Sequence, residues 1–337
     1  MKQEIKKIFS KKIISLVKNS KCLVTGGTGM VGREVTKLLR DMGAKVVSVS
    51  LDNIKPVKNI KYISGDLSDF NFCKKICGNV DFLFHVAGIK GSVVVTKKKP
   101  ASFFVPLLMM NTNILEAARI NKIKKILYTS SIGAYSPSKI FYEHNDSFDK
   151  QPMDLYPGWA KRMAELQIKS YLIQYKSKNI SIVRPSNIYG PGDNFDPKNA
   201  MVVPSIISKI FSSKNKRIKV WGNGESVRDF LFSTDCAIGI IKACILGTKG
   251  KVVNLGYGKG FKIKELISTL QKIENFKVVY DLNKPSGFPK RIMNMDRAYK
   301  LIGFKPSFTL YEGLKITWEW YIKNSKEFKK RKNYFIN

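Results

Sequence analysis

The chain has 337 residues, of which 44% are hydrophobic, enough for one large domain or two intimately joined ones. Lys and Arg total 60 against 25 acidic residues, which gives a net charge of +35. Such an excess can indicate a nucleic-acid or membrane partner, but the lysines are spread along the whole chain. No zinc finger, helix-turn-helix or RNP-like pattern accompanies them. We therefore expect a Lys-rich surface without a nucleic-acid partner, and no segment approaches the ~20 apolar residues of a transmembrane helix.

The first 19 residues are predicted to form a basic N-terminal extension. Lysines are interspersed there with apolar residues at helical spacing, namely Ile5, Ile8, Phe9, Ile13, Ile14, Leu16 and Val17. The pattern predicts a basic amphipathic helix. It has no signal-peptide core or small-residue cleavage site. Such a helix can lie on an anionic membrane, and packing against its own domain is the favoured alternative.

Between residues 20 and 184, short apolar runs alternate with helical patterns, which is typical of βαβ units. The predicted strands are 22–25, 46–50, 62–64, 82–85, 126–130 and 180–184. The predicted helices are 31–42, 69–76, 109–121 and 158–176. This order predicts an α/β fold with a Rossmann doubly wound parallel sheet.

Residues 185–325 differ in character from those before them. A loop rich in Pro, Gly and Asn at 185–197 is followed by separated helix and strand signals. We predict a smaller C-terminal α/β substrate domain with a return segment, residues 228–256, that packs back on the sheet. Residues 326–337 are predicted to be a basic tail.

The cysteines indicate the cellular compartment. Five of them lie in apolar segments, at positions 22, 73, 77, 236 and 244. Few cysteines in odd number predict reduced thiols and a cytoplasmic protein. Cys73 and Cys77 have i, i+4 spacing, but the chain has only two histidines, so we predict no metal site.

A glycine-rich turn joins the first predicted strand to the first predicted helix. Gly26, Gly29 and Gly32 have GxxGxxG spacing, and Thr28 and Met30 belong to the same turn. Glycine lets the backbone approach a pyrophosphate, while the helix N-terminus offers free N–H groups. The context of strand, turn and helix predicts a dinucleotide site.

Two acidic residues are expected near the adenosine half of that dinucleotide. Asp52 ends the second strand, where a carboxylate accepts hydrogen bonds from the ribose hydroxyls and repels a 2′-phosphate, which favours NAD over NADP. Lys55 is an argument against this preference for NAD, because a flexible loop could bring its charge toward a 2′-phosphate. Asp66, followed by Leu67, is placed to meet the adenine ring, and its alternative is an exposed helix cap.

Further segments resemble the sugar-nucleotide epimerases and dehydratases of the extended short-chain dehydrogenase/reductase family. They are FHVAGIK at 84–90, YTSSIGAY at 128–135, RPSNIYGPGDN at 184–194, VWGNG at 220–224 and VRDF at 227–230. Residues 184–204 are most similar to the GDP-fucose synthases. The resemblance implies an NAD-dependent enzyme that oxidises and re-reduces a sugar carbon, with the nucleotide sugar held between two domains. It also implies that Ala87 and Gly88 contact the cofactor.

The resemblance implies two catalytic roles. Ser131 matches a residue that hydrogen-bonds the reacting hydroxyl, and its alternative is a strand-end hydroxyl that satisfies the backbone. Lys161 matches a lysine that contacts the nicotinamide ribose and lowers the pKa of a tyrosine, and its alternative is a solvated surface lysine. A phenol with a pKa near 10 is only about one part in a thousand ionised at pH 7, so such a charge is needed.

The resemblance also assigns residues to the substrate. Asn187 matches a substrate-binding asparagine, and Arg228 matches an arginine that grips the nucleotide diphosphate by charge-assisted hydrogen bonds. Arg291 is expected to add a second phosphate contact, with a surface ion pair as its alternative. Lys90 is also assigned to the substrate.

The chain departs from the family pattern at the tyrosine. The family places it four residues before the lysine, where this chain has Pro157. Tyr156 is five residues before Lys161, so on a continuous helix it turns away by about a further 100°. Because proline suits the first helical turn, we expect Tyr156 to lie just outside the helix and to act as the acid/base. Tyr135 and Tyr142 are rival phenols.

A second departure concerns proton shuttles. Ile132 and Met201 stand where the GDP-fucose synthases carry a cysteine and a histidine, so GDP-fucose synthase activity is not expected. The leading hypothesis is an NAD-dependent sugar-nucleotide epimerase, and the alternatives are a dehydratase, a reductase or a non-catalytic NAD-binding scaffold. A dehydratase would need an acidic partner near Ser131, and no Asp-Glu pair stands beside it. Helices 109–121 and 158–176 predict a homodimer with a four-helix interface.

Overall fold

The computed structural model describes residues 2–52, 54, 56–284 and 286–328. Up to residue 185 the elements are, in chain order, α1 (Lys2–Ile8), α2 (Lys11–Val17), β1 (Lys21–Thr25), α3 (Met30–Asp41), β2 (Lys45–Ser50), β3 (Ile60–Ser64), α4 (Phe70–Ile76), β4 (Phe82–His85), α5 (Val93–Lys98), α6 (Ala101–Ile120), β5 (Lys125–Thr129), a 3₁₀ turn (Ile132–Ala134), β6 (Ile140–Phe141), α7 (Leu155–Gln174) and β7 (Ile180–Pro185). The remaining elements are β8 (Asn187–Tyr189), α8 (Val202–Ser212), β9 (Arg217–Trp221), β10 (Val227–Arg228), β11 (Phe230–Phe232), α9 (Ser233–Leu246), β12 (Val252–Leu255), β13 (Phe261–Lys262), α10 (Ile263–Gln271), β14 (Lys277–Asp281), β15 (Lys290–Met293), α11 (Asp296–Ile302) and α12 (Leu310–Phe328).

Seven parallel strands form the central sheet, in the order β12-β7-β5-β4-β1-β2-β3. The inner strands are buried along almost their whole length, because helices cover both faces of the sheet. The chain starts at β1, runs outward through β2 and β3, and then crosses back to β4. This reversal of direction opens a crevice at the carboxyl ends of β1 and β4. The predicted Rossmann doubly wound sheet is confirmed, and the six predicted strands agree with the observed ones within two residues.

Two helices begin earlier than their patterns predict. Helix α6 starts at Ala101 and runs through Pro106, whereas the sequence pattern predicts a start at residue 109. Helix α7 starts at Leu155 and not at residue 158, so Pro157 is its third residue. Proline is tolerated there because the first N–H groups of a helix have no partner within the helix. The expectation that Tyr156 lies outside the helix is therefore wrong.

The N-terminal extension folds as two helices where the sequence pattern predicts one. Helix α1 ends at Ile8, and the Ser10 hydroxyl accepts a hydrogen bond from the Ile13 N–H to cap α2. Phe9, Ile13 and Val17 are buried in the core that also contains β1, α3 and α9. Burial of each such side chain contributes about 1.5–3 kcal/mol. The apolar face of the extension is thus occupied by its own domain.

The regions before and after residue 185 exchange strands. Strand β6 pairs with β15 and joins a four-stranded sheet with β10 and β13. In return, β12 pairs with β7 as the edge of the central sheet, and α9 packs beneath that sheet against α3. A separate apolar core holds α8, α10 and α12 together. The division into two domains at residue 185 stays a prediction.

Three further observations concern the chemical class of the protein. No helix in the described part of the chain is long and apolar enough to cross a membrane. All five cysteines are free and buried. Among the described residues, no group of three His, Cys, Asp or Glu side chains is arranged to hold a metal ion.

Candidate active site

A cavity of about 1470 Å³ opens at the carboxyl ends of the central strands. Its walls are formed by the residues that follow β1, β2, β4, β5 and β7, by the start of α7 and by the segment after residue 185. The structure brings most of the predicted site residues together on these walls, namely Gly26, Thr28, Gly29, Met30, Gly32, Asp52, Asp66, Leu67, Ala87, Gly88, Lys90, Ser131, Tyr156, Lys161, Asn187 and Arg291. Arg228 is the one predicted site residue that does not line the cavity.

The glycine turn is built for close backbone approach. Gly26 has φ +69°, and a Cβ atom there would lie 2.7 Å from the Cα of Ala87. A Cβ atom at Gly32 would lie 2.1 Å from the carbonyl oxygen of Gly26. Gly29 is the N-cap of α3 and provides no side-chain cap, so the N-terminus of this helix faces the cavity without one. Backbone N–H groups and the helix dipole make such a turn suitable for phosphate.

Asp52 lies beside this turn. Its Oδ1 accepts a 2.5 Å hydrogen bond from the Thr28 hydroxyl, and Thr28 N–H donates to the Ser50 hydroxyl at 3.2 Å. The exposed Asp66 accepts the Ser68 N–H at 2.9 Å, whereas the cap of α4 is Asp69. The alternative role of Asp66 as a helix cap is therefore excluded. Lys55, which could favour NADP by approaching a 2′-phosphate, lies outside the described residues.

Ser131 and Lys161 lie at the other end of the cavity. The Lys161 ammonium donates to the carbonyl oxygen of Thr129 at 2.8 Å and lies 5.2 Å from the ring centre of Tyr128. Burial lowers the pKa of Lys161 to about 8, against the opposing influence of Glu165. The Ser131 hydroxyl accepts the Gly133 N–H at 3.0 Å and still faces the cavity.

The three tyrosine candidates have different surroundings. Tyr156 is 42% exposed on the cavity wall, and its ring meets the edge of Phe104 at 6.4 Å. Tyr135 is buried outside the cavity, where its hydroxyl donates to Asn254 at 2.7 Å. Tyr142 does not line the cavity either. Of the three phenols, only that of Tyr156 has access to the site.

The two arginines on adjacent strands behave differently. Arg228 in β10 is paired in register with Arg291 in β15. The Nη1 of Arg228 donates to the carbonyl oxygens of Val227 and Phe288, at 2.8 and 2.6 Å, and Arg228 does not line the cavity. Arg291 lines the cavity, and its buried Nε has no hydrogen-bond partner in the part of the chain that the structure describes. The assignment of Arg228 to the substrate diphosphate stays a prediction, and Arg291 is the arginine of this pair that lines the cavity.

Two other predicted substrate residues lie on the cavity wall and make contacts of different kinds. Lys90, after β4, forms a 3.1 Å ion pair with the buried Asp193 in the loop that follows β8. This ion pair holds the segment after residue 185 against the dinucleotide side. The Asn187 amide donates to the carbonyl oxygen of Asp229 at 3.0 Å, a contact within the segment after residue 185.

A buried charged network beneath the site has no counterpart in the sequence predictions. The Glu165 carboxylate accepts from the Ser130 hydroxyl at 2.5 Å and from the Arg184 guanidinium at 2.5 and 2.9 Å. Asp146 pairs with Arg184 at 2.6 Å and with Arg162 at 3.1 Å. Because buried charges need partners, this network fixes the loop after β5 onto α7.

Asp154 was also missed by the sequence prediction. It is the residue before α7, and it lines the cavity near the loop that carries Ser131. The signal available in the sequence was an aspartate just ahead of a proline in a first helical turn, a typical helix start.

The comparisons with known proteins agree with this geometry. Residues 22–256 match the model of the NAD dependent epimerase/dehydratase family. A probable GDP-L-fucose synthase 1 of Oryza sativa subsp. japonica is 28% identical and covers 91% of this chain and 93% of its own length. Among solved structures, an epimerase of Methanothermobacter thermautotrophicus is similar with TM-score 0.84, 23% identity and coverage of 94% and 96%. A UDP-N-acetylglucosamine 4-epimerase of Methanobrevibacter ruminantium M1 in complex with UDP-N-acetylmuramic acid has TM-score 0.79, 24% identity and coverage of 91% and 99%. The predicted family is thus confirmed, and this chain belongs to the NAD-dependent epimerase/dehydratase family.

Proposed function

We propose that the protein is an NAD-dependent epimerase of a nucleotide sugar. One observation carries the proposal: one cavity has a dinucleotide turn at one end and, at the other, Ser131, Lys161 and Arg291, whose Nε has no hydrogen-bond partner among the described residues. In this proposal hydride is removed from a hydroxyl-bearing sugar carbon and returned to its opposite face.

The dinucleotide end fits NAD. Gly26 and Gly32 leave no room for a side chain, which keeps the backbone free to approach a pyrophosphate. The Asp52 carboxylate is the group expected at the ribose hydroxyls, and its charge disfavours a 2′-phosphate. When bound, NAD supplies the hydride acceptor. Asp66, Leu67, Ala87 and Gly88 are proposed to line the adenine and ribose positions.

Each polar group at the substrate end of the cavity has a role in this proposal. The Ser131 hydroxyl orients the sugar hydroxyl, and the Lys161 ammonium holds the nicotinamide ribose. The buried Nε of Arg291 has a donor to give, and a diphosphate oxygen is a suitable acceptor. Asn187 and Lys90 are proposed to complete the sugar-nucleotide contacts. Arg228 adds positive charge behind Arg291.

A dehydratase acting on a similar substrate is the second candidate, and one observation favours it. Elimination of water needs an acidic group near Ser131. The loop that carries Ser131 has no acidic residue of its own, but the carboxylate of Asp154 lies against this loop at Gly133. Ile132 and Met201 provide no proton shuttle, so the epimerisation of carbons beside a keto group is not proposed.

The test is to incubate the NAD-loaded protein with a panel of UDP-, GDP- and dTDP-sugars and to follow products by NMR and mass spectrometry. An epimerase gives a new sugar of unchanged mass, and a dehydratase gives a product that has lost water. A reductase gives no product with NAD alone and consumes NADH in a parallel incubation to which NADH is added. Binding of NAD and nucleotide sugar without any product would favour the scaffold alternative and contradict the proposal.

We also propose that the protein is a cytoplasmic homodimer. Its five cysteines are free and buried. The exposed faces of α6 and α7 carry large apolar side chains, with Val105, Met109, Leu166 and Ile173 between 44% and 62% exposed. Exposed apolar side chains on two neighbouring helices suit pairing with a second copy.

A further inference from the structure

The proposed oxidation needs a group that accepts the proton of the sugar hydroxyl. The residue at the family's position for this group, four residues before Lys161, has no side chain that can accept a proton. Pro157 stands four residues before Lys161, and Tyr156 lies inside α7. At about 100° per residue, five residues turn Tyr156 about 140° away from the direction of Lys161. Seven residues make nearly two whole turns, so Asp154, at the N-cap, starts on the face that leads to Lys161.

The Asp154 carboxylate lies against the loop that carries Ser131. A Cβ atom built on Gly133 would be 2.2 Å from Oδ2 of Asp154, so the carboxylate occupies the space that a side chain at 133 would fill. The Asp154 N–H donates to the carbonyl oxygen of Gly133 at 3.1 Å. Gly158, one turn into α7, lacks the Cβ that would meet the same carbonyl at 2.6 Å. Two glycines thus allow the start of α7 to dock on the Ser131 loop.

The carboxylate has no structural task that would explain it. An aspartate at an N-cap normally accepts an N–H of its own helix, but the Asp154 side chain makes no such hydrogen bond. Within the described ranges no donor reaches either of its oxygens, and the charge that faces it is that of Arg291 from β15. Half-buried, on the cavity wall, it is a free acceptor next to the reacting end of the site.

The other carboxylates on the cavity wall are engaged. Asp52 accepts a threonine hydroxyl at the adenosine end, and Asp193 pairs with a lysine. Asp66 and Asp196 accept backbone N–H groups. Asp193 Oδ2 is also without a hydrogen-bond partner among the described residues, but its other oxygen is paired with Lys90. Asp154 is the carboxylate of this wall that makes no side-chain hydrogen bond or ion pair within the described residues and lies against the Ser131 loop.

We infer that Asp154 is the general base and acid of this site, exchanging a proton with the sugar hydroxyl that is oxidised. This inference rests on the proposed function. The hydroxyl O–H bond breaks and its proton moves to an Asp154 oxygen, while the C–H electron pair leaves as hydride to the nicotinamide. Asp154 then holds the proton as a carboxylic acid and returns it to the oxygen when hydride comes back to the carbon. Ser131 orients the hydroxyl during both transfers.

The surroundings of Asp154 suit this task. Burial raises the pKa of its carboxyl above the ordinary value, and the nearby Arg291 guanidinium opposes the shift. A carboxyl with a raised pKa is a stronger base near neutral pH than an exposed one. Tyr156 and Lys161, on the same helix, line the same cavity.

The test measures the first half-reaction. NAD-loaded protein is mixed with the nucleotide sugar that the wild type accepts, and formation of bound reduced cofactor is followed by absorbance. Asp154→Asn should slow it by about 10²- to 10⁴-fold, the range for a lost acid/base, and should leave NAD affinity unchanged in calorimetry. Asp149→Asn is the matched control, since Asp149 is exposed outside the cavity, and it should react at the wild-type rate.

The pH profile separates Asp154 from Tyr156. The wild-type rate should fall as pH drops through the pKa of Asp154, because the base becomes protonated. This acidic limb should persist in Tyr156→Phe, shift in Asp154→Glu and vanish in Asp154→Asn. An Asp154→Asn rate near that of the wild type with the same acidic limb would overturn the inference, as would an acidic limb lost in Tyr156→Phe.

A measurement without turnover completes the test. Burial also raises the pKa values of Asp229, to about 6, and of Asp235, so infrared spectra across a pH series are compared as differences between variants. The wild-type spectrum minus that of Asp154→Asn should contain a carboxylic-acid band that titrates above the ordinary aspartate value of about 3.9, and the wild-type spectrum minus that of Asp149→Asn should not. If the first difference spectrum contains no such band, Asp154 is not the base. If none of the nucleotide sugars tested leads the wild type to reduce its bound NAD, the proposed function fails and the inference fails with it. That result differs from a normal wild type beside an equally active Asp154→Asn, which contradicts the inference alone.

Discussion

Arg291→Ala should weaken the binding of nucleoside diphosphates without changing NAD affinity. The Arg291 guanidinium lines the cavity, and within the described ranges its buried Nε has no hydrogen-bond partner. A hydrogen bond from a charged group contributes about 1.5–3 kcal/mol. Since 1.4 kcal/mol corresponds to a factor of ten, the Kd should rise by roughly 10- to 150-fold. Calorimetric titration of UDP and GDP into NAD-saturated protein measures this change.

Arg228→Ala is the matched control for this prediction. Arg228 carries the same charge on the adjacent strand, but its guanidinium donates to backbone carbonyls and does not line the cavity. Only its screened charge should reach the ligand, so we expect a change in Kd below about threefold. Equal losses in the two variants would refute the reasoning, because both arginines would then contact the diphosphate. An unchanged Kd in Arg291→Ala would refute it as well.

Three further outcomes are expected. Asp52→Asn should reduce the preference for NAD over NADP by about tenfold or more in calorimetry, because a charge against the 2′-phosphate is lost, and an unaltered preference would contradict the assignment. NAD affinity should fall as pH rises through about 8, because Lys161 loses its proton there. Lys161→Met should bind NAD weakly at every pH. A wild-type NAD affinity that does not change with pH would argue against a contact between Lys161 and the nicotinamide ribose. Ile173→Glu should convert the dimer to a monomer in light scattering, since Ile173 is 62% exposed on α7, and an unchanged mass would remove this face from the interface.

Much of the fold could be predicted because its signals are local. Each inner strand is a short apolar run between turn residues, and the glycine turn after β1 marks the dinucleotide end. The break at Ser10 is also a local effect, because the Ser10 hydroxyl caps α2, but the apolar pattern runs across it without interruption and predicts one helix. The extension of α6 across Pro106 was not predictable by the same rules, because tertiary packing overrides the local cost of proline there.

The chemistry of the site was harder to predict, because it depends on contacts between distant segments. The choice between Arg228 and Arg291 depends on how β10 and β15 pair, and on which of two neighbouring guanidinium groups has a carbonyl to bind. Asp154 approaches the Ser131 loop only because α7 begins three residues before the predicted start and docks through glycines. Neither the pairing of β10 with β15 nor the earlier start of α7 can be predicted from sequence spacing alone.

The contact between Gly133 and Asp154 has a consequence for the evolution of such sites. With 2.2 Å between the carboxylate and the place of a Cβ atom, the pocket admits an acidic group from the loop or from the helix, but not both. Across related chains, a larger residue at the position of Gly133 should therefore coincide with a smaller one at that of Asp154. The paired exchange Gly133→Asp with Asp154→Gly would move the carboxylate from one backbone segment to the other while keeping the side-chain volume, whereas either change alone would leave the pocket overfilled or vacant.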